Sequence, residues 1–153
     1  MKLIDKDLKI YIFKNKYLNY YLKKENLINR QYDENNKPFV KGINFSISHS
    51  KKYSALIISK KYNVGIDILE KNRQIKNFNL IIKDWNEKPK TNKKFIKLWT
   101  IKESVIKIYS NNTLRNINNV NVFKKFCIYN KQKIYYKTIK NKHIICTYSY
   151  FKK

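Results

Sequence analysis

Between residues 5 and 24 the apolar side chains Leu8, Tyr11, Ile12, Leu18, Tyr21 and Leu22 recur at the spacing of one helix face, which predicts an amphipathic helix. The polar run ENLINRQYDENNKPF that follows reads as a connection, interrupted by Pro38. From Asn44 the period changes to two: Phe45 and Ile47 face one way, Ser46 and Ser48 the other. A turn at 49–53 leads to a second strand, YSALIIS. A third, YNVGIDI, carries Val64, Ile66 and Ile68 on one face and Gly65 and Asp67 on the opposite one. Residues 70–92 hold no clean period and leave short helix and loop both open. The helical period returns over 92–109, with Phe95, Leu98, Ile101, Val105 and Ile108 as the apolar stripe, and Asn111 and Asn112 are expected to end it. FKKFCIYN, KIYYKTI and HIICTYSYF predict an antiparallel meander with Asn-Lys turns. Helix, strands, helix, strands is an α+β order.

Length changes little in this picture: 153 residues suit one domain, 1–153, or two small half-domains sharing a core. At 42% hydrophobic and 15% aromatic the chain can fill that core, which argues against disorder. Only 2 Gly and 2 Pro are present, so turns must draw on Asn and Asp. The charge is the outlying property: 35 Lys+Arg against 10 Asp+Glu, a net +25, which attracts polyanions. The excess is mostly Lys amid abundant Asn, Ile and Tyr, a bias that AT-rich codons produce. The lysines are also scattered rather than striped, which lowers the weight of a nucleic-acid surface. Cys127 and Cys146 lack CxxC spacing and read as buried free thiols of a reducing compartment, with a disulfide left open. Asp5, Lys6 and Asp7 interrupt any leader-like apolar run, and no window suits a bilayer span, so a cytoplasmic protein without a membrane partner is expected.

Taken singly, the polar residues of the regular segments have ordinary explanations. Asp67 interrupts an apolar strand, where its carboxylate needs a cation, hydrogen bonds or water; it would more often be a solvated strand-end residue. Trp99, Glu103 and Lys107 follow one another at i, i+4 spacing on a face distinct from the apolar stripe. A surface ion pair between Glu103 and Lys107, worth roughly 0.3–0.5 kcal/mol, is the plain reading. His49, in SHS, reads as a turn residue.

The combination is more specific. KPFVKGINFSISHS, then VGIDILE, then FIKLWTIKESVIK, in that order, resembles the surfactin-synthetase-activating type of 4′-phosphopantetheinyl transferase. That family carries a KP element, an SHS segment, a GIDIE-like strand and a W-[ST]-x-KE-[AS]-x-x-K helix. The resemblance implies an α+β pseudo-dimer of half-domains, here about 1–70 and 71–153, acting as a monomer with the site at their junction. It implies Mg2+ held by Asp67 and Glu103, with Glu103 also helping to deprotonate a carrier serine. Lys107 matches the lysine that neutralises the diphosphate of the co-substrate coenzyme A. Ser48 and His49 match contacts to its 3′-phosphate, Lys37 the position beside the adenosine, and Lys102 an addition to the positive field. The implied activity is holo-acyl-carrier-protein synthesis, and the implied partner is an acidic carrier protein, as in fatty acid biosynthesis.

The match has departures. Leu69 stands where many members carry a third metal-side carboxylate, and Glu70, one residue later, points to the other face on a regular strand unless a β-bulge brings it round. The smaller holo-acyl-carrier-protein synthases read similarly, so a two-carboxylate variant is expected. The segment before the KP element is short, with Lys14 and Lys16 as candidates to compensate, and Asn36 replaces the usual Gly before KP. A decayed transferase and a basic nucleic-acid binder are the alternatives. The second gives no reason for Asp67, Glu103 and Lys107 to hold family spacing.

Overall fold

The first correction falls at the N-terminus. A computed structural model of the chain, describing residues 2–5, 7–34, 37–109 and 114–152, places a strand, β2 (Leu8–Lys14), across the first half of the helix predicted over 5–24, with β1 (Lys2–Asp5) before it, and helix only in the last part of that span. Only after a 3-10 turn does a short helix follow, α1 (Leu18–Lys24). The cause is burial on both faces of β2. Leu8, Ile10 and Ile12 enter one apolar cluster, Tyr11 and Phe13 another, which erases the alternation that marks a half-exposed strand. The expected connection contains a small ribbon, β3 (Gln31–Tyr32) with β4 (Pro38–Phe39). Asn36, like Asn111 and Asn112, lies outside the described residues.

The next three strands stand where the alternation predicts them: β5 (Asn44–His49), β6 (Tyr53–Ser59) and β7 (Tyr62–Glu70). After them come α2 (Phe78–Ile81), the long helix α3 (Asn92–Ile106) and α4 (Leu114–Asn118). The chain closes with β8 (Asn121–Val122), β9 (Phe126–Tyr129), β10 (Gln132–Lys140) and β11 (Ile144–Lys152). The meander and its Asn-Lys turn are as expected: Asn130 and Lys131 both adopt positive φ, 50° and 61°, as a two-residue hairpin turn requires. The architecture is α+β with three antiparallel sheets. One has the order β1-β2-β6-β5, the second β7-β11-β10-β9-β8, and the third is the β3-β4 ribbon. Cys127 and Cys146 are free and buried; burial pushes the Cys127 thiol up to about 12, so it is an unreactive core group. Among the described residues no helix is long and apolar enough to cross a membrane.

Two features of this topology position the site. First, β7 leaves its sequence neighbours and pairs instead with β11, unbroken from Tyr62↔Lys152 to Glu70↔Ile144. Its other edge meets β5 through side chains: the Ile66 N–H donates to Ser46 Oγ (3.2 Å) and the Ile68 N–H to Ser48 Oγ (3.3 Å). The polar face of β5 is therefore not a wet face. Ser46 and Ser48 are buried and stand in for a backbone ladder between the two sheets.

Second, α3 lies unusually close on β7 and β11. Thr91 caps its start, accepting from the Lys94 N–H. At the crossing every contact is small: the Thr100 and Thr147 hydroxyls meet at 3.0 Å, and those of Ser104 and Ser149 at 2.6 Å. Register sets Thr147 opposite Asp67 and Ser149 opposite Gly65. A Cβ on Gly65 would lie 1.9 Å from the Ser104 carbonyl oxygen, so only glycine admits the helix at this depth. The apolar stripe of α3 packs as predicted, with Phe95, Ile101, Val105 and Ile108 buried and Leu98 partly so.

Candidate functional site

Close approach of α3 to β7 brings the sequence-distant polar residues together. Asp67 points from the middle of β7 toward the helix and is 6% exposed. Its Oδ1 accepts from the Lys107 ammonium at 2.7 Å and from the Ser48 hydroxyl at 2.8 Å. Lys107 also donates to Ser48 Oγ at 2.9 Å, closing a triangle across β5, β7 and the end of α3. The surface ion pair between Glu103 and Lys107 is thus not what forms; among the described residues Lys107 pairs with Asp67.

The other oxygen of Asp67, Oδ2, is buried with no hydrogen-bond partner. An uncompensated buried carboxylate oxygen is costly and points to a missing positive or donating group. Glu103, one turn before Lys107, is half-buried beside it. Burial first, and the Asp67 charge second, hold its carboxyl above the usual range, against the opposing pull of Lys107. Two carboxylates share one patch of low dielectric, with a single lysine between them.

Ser48 is central in a way its sequence position hides, since it accepts from a backbone N–H and from Lys107 while donating to Asp67. Ser48→Ala leaves the Ile68 N–H unpaired and is expected to lower stability by about 1–3 kcal/mol, measurable by urea unfolding.

The remaining expected site residues lie around this centre. The Lys37 ammonium donates to the Ile108 carbonyl at 2.7 Å, capping the end of the helix one residue beyond Lys107. Burial lowers its pKa, only partly opposed by Asp33. His49 is exposed at the end of β5. Glu70 is out of the site. Alternation aims it to the other face of β7, the β7–β11 register contains no bulge, and its carboxylate accepts from Ser50 Oγ (2.8 Å) and the Lys52 N–H (2.9 Å). Leu69, at the third-carboxylate position, packs in the core under α3. Lys16 lies over the Tyr17 ring.

Lys102 corrects the expectation most sharply. Although it adjoins Glu103 in sequence, it points away from the site and is fully buried. It pairs with Glu87 at 2.8 Å, donates to the Val120 carbonyl and sits over the Trp85 ring at 4.7 Å. Trp99, expected on the Glu103 face, instead packs against Trp85 and Phe95. Lys102 therefore anchors α3 from behind. Glu87→Ala leaves the Lys102 charge buried against a carbonyl and a ring, and is expected to destabilise by about 2–3 kcal/mol, whereas Lys102→Met costs less because the Glu87 carboxylate it leaves behind is partly exposed and keeps the Val122 N–H. Thermal unfolding of the two variants side by side checks the order.

Sequence reasoning missed the hydroxyl-lined contact of Thr100, Ser104, Thr147 and Ser149. Its signal was present: small residues at i, i+4 on α3 and at i, i+2 on β11. Among the described residues no group of three or more His, Cys, Asp or Glu side chains could hold a metal ion, so these residues offer at most a two-carboxylate seat. Compared with protein-family models and with curated proteins, the chain matches none.

Proposed function

We propose that this protein is a magnesium-dependent 4′-phosphopantetheinyl transferase that moves the phosphopantetheine arm of coenzyme A onto a serine of an acidic carrier protein. The observation that carries this reading is the orphaned, buried Oδ2 of Asp67 beside Glu103, with Lys107 fixed on the same carboxylate. The donor set fits the ion. Magnesium takes hard oxygens and is commonly held by one or two carboxylates, with phosphate oxygens and water completing its shell. Asp67 and Glu103 would hold it. When bound, it supplies positive charge that neutralises a diphosphate.

The chain's own residues supply the rest. The Lys107 ammonium is held by Ser48 and Asp67 at the end of α3, placed to offset charge on the diphosphate of coenzyme A. Glu103, on the face of the helix end that also carries Lys107, is assigned acceptance of the proton from the carrier's serine. The serine oxygen bonds to the phosphorus on the pantetheine side, the bond to the bridging oxygen breaks, and 3′,5′-ADP leaves with the electron pair. Lys37 and His49, on either side of this centre, are assigned to the adenosine and 3′-phosphate. On the same resemblance the fold is a pseudo-dimer of two half-domains with the site at their junction. The net charge of +25 favours encounter with an acidic carrier.

Intact-mass measurement of apo-carrier proteins incubated with the protein, coenzyme A and Mg2+ tests the proposal. A mass gain of one phosphopantetheine is expected. No gain on fatty-acid, peptidyl and polyketide carriers alike overturns it.

A further inference from the structure

A second feature stands apart from the Asp67 cluster, on the Glu70 side of β7. Three turns, at 50–52, 71–73 and 141–143, surround a concave hollow of about 760 Å³. That volume is within the usual size range of small-molecule sites. Five basic side chains line it, Lys51, Lys52, Lys71, Arg73 and Lys142, with His143 beside them. Its one carboxylate, Glu70, is already engaged by the Ser50 hydroxyl and the Lys52 N–H. Those hydrogen bonds hold its pKa below the usual range, against burial, which pushes it up.

The turns that carry the basic residues are tied to one another and to neighbouring strands. The Lys71 N–H donates to the His143 carbonyl at 2.8 Å, tying two of the turns together. Asn15 donates through Nδ2 to the Ser50 and Lys51 carbonyls, and Asn141 Oδ1 accepts from the His143 and Ile144 N–H groups. The Tyr53 and His143 rings lie near-parallel, centroids 6.4 Å apart. The basic residues of the hollow outnumber its carboxylate five to one. The four ion pairs among the described residues use Lys9, Lys61, Lys102 and Lys107, and none lies at this hollow. Beside it, Lys140 has its pKa lowered by burial and then by Lys97, Lys71 and Lys93, a field of like charges.

We infer that this hollow, lined by Lys51, Lys52, Lys71, Arg73 and Lys142, is a binding site for a compact polyanion bearing two or more phosphate groups, separate from the Asp67–Glu103–Lys107 cluster. Uncompensated cations converging from three tethered turns match a ligand with several negative oxygens in a small volume. Arg73 provides the planar fork that phosphate oxygens accept in pairs, and the lysines provide point charges around it.

The probe is tripolyphosphate, titrated into the full chain by calorimetry at near-physiological ionic strength, where diffuse attraction is screened. Saturable binding is expected, weakened about tenfold or more by the double substitution Lys71→Ala/Arg73→Ala. Lys124→Ala/Lys131→Ala removes the same charge from exposed positions elsewhere and should change affinity by less than about twofold. Lys107→Ala should retain binding. Equal losses in the two double variants would overturn the site in favour of general charge attraction. Loss confined to Lys107→Ala would place the anion at the Asp67 cluster instead. Absence of saturable binding, with capture only of an acidic protein, would make the face a protein-docking surface. None of these outcomes depends on carrier priming.

Discussion

Gly65→Ala is expected to lower the unfolding free energy by about 3 kcal/mol, at the upper end of overpacking costs, and to abolish carrier priming. The added methyl would sit 1.9 Å from the Ser104 carbonyl oxygen, with the Ile108 backbone nitrogen at 3.0 Å and its Cγ1 at 3.1 Å. Two of these three obstacles are backbone, so no rotamer change relieves them and α3 must lift from β7. Lifting α3 breaks the Thr100–Thr147 and Ser104–Ser149 hydroxyl contacts and withdraws Lys107 from Asp67 and Ser48. Stability and site geometry therefore fail together. Gly42→Ala is the control. Gly42 has φ +78° and open space around its Cβ position, so the change costs only the conformational penalty, about 1 kcal/mol. Urea unfolding of both variants measures the difference; equal stabilities would mean that the close approach does not hold the helix.

Glu103→Ala is expected to reduce kcat/KM for carrier priming by about 10³-fold while leaving stability in chelator unchanged or slightly higher. The split follows from the electrostatics. Burial and the neighbouring Asp67 charge raise the folded-state pKa of Glu103 above its unfolded value. A carboxyl shifted in that direction loses folding stability as pH rises from the unfolded toward the folded pKa, so at neutral pH its ionised form is a burden. Removing it relieves the burden. Asp67→Ala should behave oppositely in stability, because it strips Lys107 and Ser48 of their shared acceptor. Priming assays paired with thermal unfolding separate the two. A Glu103→Ala protein that is destabilised yet active would reverse the assigned role.

Legibility in the sequence did not follow burial alone: β6 and β7 are buried on both faces and still stand where the sequence puts strands. Strands half-covered, such as β10, and the amphipathic α3 carry their periods openly. β2 does not, because with both faces buried its apolar residues lose the alternation, and the spacing of Leu8, Tyr11 and Ile12, continued by Leu18, Tyr21 and Leu22 of α1, imitates one helix. The convergence of Ser48, Asp67 and Lys107 agrees with the motif positions, yet their hydrogen-bonded triangle depends on β5 and β7 meeting edge to edge through serine hydroxyls. No local period encodes that meeting. Lys102 and Glu103 are adjacent in the motif but face different ways round the helix, one over the Trp85 ring and the other toward Asp67. Adjacency in sequence is uninformative about a shared field on a helix, where neighbours turn by about 100°. The basic hollow was illegible for a further reason: its lysines come from three distant turns in a chain rich in lysine throughout.

The central claim is that Asp67 Oδ2 and Glu103 form one seat for a divalent cation, and Mn2+ binding followed by electron paramagnetic resonance tests it most directly. With coenzyme A present, one Mn2+ should bind per chain. Asp67→Asn and Glu103→Gln should each weaken that binding by roughly tenfold or more, and Lys102→Met should leave it unchanged. Wild-type affinity in both carboxylate variants would contradict the claim.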